Sequence, residues 1–260
     1  MSRLKQLAAC ILILLALSAC STTQTNSKVD AEKQAESKSA VLINLGLAYA
    51  ERGQNQVAMD QYNRALMINP DSFDAHTAIA NLYESIDQPE LAEQHYKKAI
   101  ELAPDNPSTL NNYGKYLCNK GQYAEAGEYF IKAAETPLYA RPWLPLTNAG
   151  QCLQRAGNLA KAEQYLRAAL KKNPVYAPAL MAMAQLSYQQ NKYRTARAFL
   201  QRLESVQSLT AEQLALAVNI EQALGDHRAE ADYAQQLRTR YPEYQPSLPR
   251  NHPIQQESGR

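Results

Sequence analysis

Four cysteines and four histidines hold most of the covalent and acid–base chemistry that this sequence could perform. His76, His95, His227 and His252 are scattered along the chain with no metal-ligand spacing among them, so no metal site is expected. No glycine-rich phosphate loop is present. Cys118 has the chemistry of a nucleophile, yet nothing in the sequence pairs it with a base. These features predict a chain that is not an enzyme, with no cofactor and no small-molecule substrate. The formal charge is only +2, short of the basic surplus that a nucleic-acid binder needs to displace counterions, so no nucleic acid is expected.

Cys20 offers chemistry of another kind. Arg3 and Lys5 precede an apolar run from Leu7 to Leu17, which has the length of a signal peptide and is too short to span a bilayer. Leu17-Ser18-Ala19-Cys20 then resembles a bacterial lipobox, with small residues beside the cut and a thiol that can carry a thioether-linked diacylglycerol. Ser21 stands where an aspartate would favour inner-membrane retention, which points to the periplasmic face of the outer membrane. The expectation is a leader over 1–19, acylation of Cys20, and a stable multi-chain lipid anchor. The polar stretch 20–38 reads as a flexible tether spanning roughly 20–25 Å. Residues 243–260, with Pro246, Pro249 and Pro253 and few apolar groups, read as a disordered tail.

With Cys10 removed and Cys20 acylated, Cys118 and Cys152 remain, in a disulfide-permissive compartment. Whether they meet depends on the elements that carry them. Ala58, Ala92, Ala126, Ala162 and Ala196 recur at intervals of 34, 34, 36 and 34 residues. Around them Gly46, Ala80, Gly114 and Gly150 occupy one repeat position, Tyr62, Tyr96, Phe130 and Leu166 another, and Pro70, Pro104 and Pro174 a third. The pattern resembles the tetratricopeptide repeat, a pair of antiparallel helices. Small residues at positions 8, 20 and 27 allow close approach, apolar residues at 4, 7, 11 and 24 fill the space between, and proline at 32 ends the second helix. The fold expected is all-α, a right-handed superhelical α-solenoid of about six repeats near 39–72, 73–106, 107–142, 143–176, 177–210 and 211–242. Cys118 and Cys152 then lie on the first helices of repeats three and four, whose axes are about 8–10 Å apart. A bridge is reachable and favoured. Two buried free thiols, acting as small apolar residues, are the other outcome.

Such arrays hold extended or helical segments of other proteins on the surface lined by their first helices. The usual positions give Asp74, Thr77, Asn81, Glu84, Ser108, Asn111, Lys115, Asn119, Thr147, Gln151 and Gln154, an amide- and hydroxyl-rich groove suited to a peptide backbone. Repeat one adds an apolar patch with Ala40, Ile43, Leu47 and Ala50. Ile43 and Leu47 stand where the carboxylate-clamp variety of this repeat needs basic and asparagine side chains, which excludes that mode.

The stretches "LNNYGKYLCNKGQYAEAGEYF", "TPLYARPWLPLTNAGQCLQRAGN" and "AEQYLRAALKKNP", behind a lipobox, are similar to the type IV pilus biogenesis lipoproteins of the PilF/PilW pilotin family. The resemblance implies an outer-membrane lipoprotein acylated at Cys20. It also implies a Cys118–Cys152 disulfide, and as partner the type IV pilus secretin, whose subunits it would localise and help multimerise. A general scaffold lipoprotein, serving envelope enzymes or the outer-membrane protein insertion machinery, is the alternative.

Overall fold

Tight turns set the pitch of the chain. Gly53, Gly121 and Gly157 adopt φ of 73°, 79° and 76°, the left-handed conformation in which a Cβ is costly. Asp87 and Asn191 take the same place in repeats two and five at φ 56° and 58°, where short polar side chains are best tolerated. The computed structural model describes residues 31–244, and among them there are twelve helices and no strand. They are α1 (31–50), α2 (Asn55–Ile68), α3 (Phe73–Ser85), α4 (Pro89–Leu102), α5 (Pro107–Asn119) and α6 (Tyr123–Glu135). There follow α7 (Trp143–Arg155), α8 (Leu159–Lys172), α9 (Ala177–Gln189), α10 (Tyr193–Glu204), α11 (Ala211–Leu224) and α12 (His227–Arg240). Side-chain caps fix the starts of α3, α8, α11 and α12. Ser72 accepts from the Ala75 N–H, Asn158 from Lys161 and Asp226 from Ala229, while Thr210 and Gln213 form a reciprocal capping box on α11. This is the all-α repeat fold that the alanine spacing predicts.

The chain packs as two compact units that divide between Tyr116 and Leu117. In the first, α3 lies on α4 and α2 on α3. Ala58, Ala65, Ala92 and Ala99 are fully buried, with Tyr62 and Tyr96 packed among them. A Cβ on Gly46 would fall 2.4 Å from the Tyr62 ring, so α1 approaches α2 too closely for any other residue there. The ring centroids of Tyr96, Tyr113 and Tyr116 lie 5.1–6.0 Å apart. The Tyr96 hydroxyl donates to Asn81 Oδ1 (2.6 Å) and the Tyr116 hydroxyl to the Pro89 carbonyl (2.7 Å).

In the second unit α7 packs on α6 and α8, α9 on α10, and α11 on α12. Its core includes Leu166, Leu180, Met183, Leu186, Leu200, Leu214 and Ile220. Each such side chain removed from water contributes about 1.5–3 kcal/mol. Gly150 repeats the logic of Gly46, since a Cβ there would lie 2.6 Å from Leu166 Cγ. Glu221 is 2% exposed and is neutralised by Arg197, which also reaches Asp226 at 3.2 Å. On α12 no residue is fully buried, so that helix presents a largely polar face to water.

Two expectations are corrected. Residues 31–38, read from sequence as part of the tether, are helical and belong to α1. Ala31, Glu32, Lys33, Gln34, Ala35 and Glu36 favour helix by intrinsic propensity while lacking the apolar period used to find helices. Leu45, read as filling the space between helices, is 42% exposed, whereas Ile79 at the same position of repeat two is 1% exposed. Among the described residues no helix precedes α1 to cover that face. The leader, Cys20, the rest of the tether and residues 245–260 lie outside the described residues. No described helix is long and apolar enough to cross a membrane.

Candidate partner-binding groove

A groove of about 580 Å3 opens in the first unit, between α1, α3 and the start of α5. Its apolar side is Ala40, Ile43, Leu47 and Ala50 of α1, with Tyr62, Ala78 and Leu82 facing them. Helical spacing puts residues 40, 43, 47 and 50 on one stripe of α1. Leu47 is 51% exposed, an unusual placement for a leucine beside a folded core. The polar side is Asp74, Thr77, Asn81 and Ser85 of α3 with Ser108 and Asn112 of α5. Asn106 caps α5 by accepting from the Ser108 and Thr109 N–H groups at 3.0 Å, which fixes where Ser108 stands. Asn81 accepts from Tyr96, leaving the NH2 half of its amide for the groove. Thr77 gives its hydroxyl proton to the Phe73 carbonyl (2.8 Å). Partial burial, and then the nearby Glu36, raise the Asp74 carboxyl above its ordinary range. With Glu51 also in the lining, the rim is acidic.

Of the groove residues expected from sequence, Ile43, Leu47, Asp74, Thr77, Asn81 and Ser108 thus meet in one place. The others are elsewhere. Glu84 accepts from the Tyr96 hydroxyl at 3.0 Å, and Asn111 and Lys115 are on α5 outside this lining. Asn119 accepts from Arg155 Nη1 at 2.9 Å, and Gln154 donates to Gln189 Oε1 at 3.1 Å. Gln151 is exposed on α7. Thr147 cannot offer a partner anything: it is 2% exposed and its hydroxyl donates to the Trp143 carbonyl one turn back. Sequence reasoning missed Asn44, Ala78 and Asn112, all at repeat position 6, whose threefold recurrence was the available signal.

Cys118 of α5 and Cys152 of α7 are joined by a disulfide, with Cα atoms 5.9 Å apart and both residues buried. Arg155 Nη1 lies 3.7 Å from Cys118 Sγ. Among the described residues no group of three or more metal-ligating side chains converges. His76 and His95, which show no ligand spacing in sequence, are nevertheless in contact in the α3–α4 hairpin.

Profiles of the tetratricopeptide repeat match residues 73–106, 95–128 and 153–220, and a further TPR repeat profile matches 46–87. The type IV pilus assembly protein PilF of Pseudomonas aeruginosa is 29% identical over 237 residues, 90% of this chain and 94% of that one. The chain is a tetratricopeptide repeat protein homologous to PilF. The solved structure of Pseudomonas aeruginosa PilF superposes with a TM-score of 0.70 at 29% identity, covering 81% of this chain and 95% of that one. The crystal structure of PilW, a widely conserved type IV pilus biogenesis factor, gives 0.73 at 28% identity, covering 80% and 95%. In repeat terms, the groove uses positions 2, 5, 6 and 9 of the first helices, and it is apolar where repeat one supplies positions 2, 5 and 9.

Proposed function

We propose that this chain is a non-catalytic lipoprotein of type IV pilus biogenesis, a pilotin that holds subunits of the pilus secretin at the outer membrane while they multimerise. The observation that carries the reading is the likeness to PilF over 94% of that protein, far beyond what one generic repeat would give. The groove supplies the physical means. An apolar stripe from Ile43 and Leu47 takes the side chains of a bound segment, while Asn81, Ser108 and Asn112 hydrogen-bond its backbone. Asp74 and Glu51 on the rim favour a segment carrying a basic residue.

Acyl chains on Cys20 supply the address. Secretin subunits in transit expose sheet edges that invite misassembly. A tethered groove raises their local concentration at the correct membrane without any new contact. The test is the secretin multimer itself, run on unboiled gels of envelopes from cells lacking this gene. Loss of the multimer is expected, with monomer retained. Wild type should restore it, and Leu47→Asp should not. Cys20→Ala, exported with an ordinary cleavable leader, should fail to place it in the outer membrane. A normal multimer in the absence of the protein would sink the proposal and leave the general envelope scaffold in its place.

A further inference from the structure

His76 of α3 and His95 of α4 face each other with their Nδ1 atoms 3.0 Å apart and their ring centroids 5.2 Å apart. Both are part-buried, and Tyr83 packs on the His95 ring at 5.7 Å between centroids. Two imidazoles this close share one proton between two lone pairs, or a cation in its place. We propose that His76 and His95 form a site for a borderline divalent cation, Cu2+ or Ni2+, that ties α3 to α4 in repeat two.

The separation selects the metal. Bonds of about 2.05 Å from both nitrogens subtend an angle of about 95° at 3.0 Å, a cis pair in a tetragonal or octahedral field rather than the wider tetrahedral angle of zinc. Solvent completes the coordination, since the rings are not fully enclosed. The pair is held ready. His76 also hydrogen-bonds the Pro70 carbonyl, the kind of outer contact that orients a ligating imidazole, and Tyr83 restrains His95. Burial keeps both rings below their ordinary pKa, so both are neutral at pH 7 with lone pairs available. The Asp71 carboxylate acts favourably on a bound cation and Lys98 unfavourably, leaving the local charge near balance.

The probe is Cu2+ alone, added to the full chain with Cys10 and Cys20 alkylated and histidine selectively labelled with 15N. Electron paramagnetic resonance should show one tetragonal Cu2+ per chain with hyperfine coupling to two labelled nitrogens. His76→Gln and His95→Gln should each abolish that signature and weaken binding by about tenfold or more. His227→Gln, at the exposed histidine beside Glu230, should change nothing. Coupling to fewer than two labelled nitrogens in the unsubstituted chain overturns the site, a readout that does not depend on how the variants fold. Binding by His76→Gln and His95→Gln equal to that of the unsubstituted chain overturns it as well.

Discussion

Opening the Cys118–Cys152 bond is the perturbation whose magnitude follows most directly from this structure. The cysteines are 34 residues apart, and closing such a loop removes about 12–13 cal/mol/K from the unfolded chain, about 3–4 kcal/mol at 25 °C. The native side of the balance changes little. Cys118 and Cys152 are 5% and 2% exposed, so reduction leaves two small apolar thiols in place and unveils no polar group. Arg155 keeps its Asn119 acceptor in either state. For a chain of this size the loss corresponds to about 8–15 °C in melting temperature. The assay is urea unfolding of oxidised protein and of protein reduced while unfolded, with hydrogen exchange followed in α5 and α7. Repeat arrays need not melt all at once, so the exchange data identify which helices lose protection. Cys118→Ala with Cys152→Ala should resemble the reduced protein, less stable by a further small amount for the voids left. Oxidised and reduced unfolding free energies agreeing to within about 0.5 kcal/mol would refute the argument, because loop closure at this separation yields several times more.

Other substitutions probe packing and charge. Gly150→Ala should destabilise by about 1–3 kcal/mol in urea unfolding, since its Cβ would meet Leu166 at 2.6 Å and the Ala162 carbonyl at 3.1 Å. Gly127→Ala is the control: nothing lies within 4 Å of that Cβ in α6, so a gain approaching 1 kcal/mol is expected. Arg197→Ala strands the buried Glu221 carboxylate and should cost about 3–5 kcal/mol, with Glu221→Gln milder because no charge is left unpaired. Asp74→Asn should stabilise at pH 7. The folded Asp74 carboxyl holds its proton more tightly than the unfolded one, so its contribution is present in acid and lost as pH rises through the ordinary carboxylate range. The gain should vanish on titrating to pH 3 and stay below about 0.5 kcal/mol, since the side chain is solvent-screened.

What could be read in the sequence was whatever sterics repeat. Residues with no more than a Cβ recur where two helices touch, so the alanines at 58, 92, 126, 162 and 196 announce the hairpins, and all five are fully buried. Helix 31–38 was hidden because it rests on propensity and buries nothing on one face. The His76–His95 contact was hidden for a different reason: a search by local ligand spacing is blind to two positions that a hairpin folds together across a turn. Thr147 sits at position 5 like Thr77, and repeat position alone does not reveal that it is 2% exposed with its hydroxyl donating to its own helix.

The groove follows from how repeat one differs from its neighbours. Position 5 is Ile43, Thr77, Asn111 and Thr147 in successive repeats, and position 9 is Leu47, Asn81, Lys115 and Gln151. Only the first of these repeats places aliphatic side chains at both, and its Leu47 is 51% exposed. An exposed leucine beside a folded core costs solubility and adds nothing to stability. On the proposed function, Ile43 and Leu47, facing the polar side chains of α3 and α5 across the groove, are covered by the bound segment. A chain carrying Leu47→Asn, the residue standing at this position in repeat two, should therefore keep its melting temperature and lose its partner.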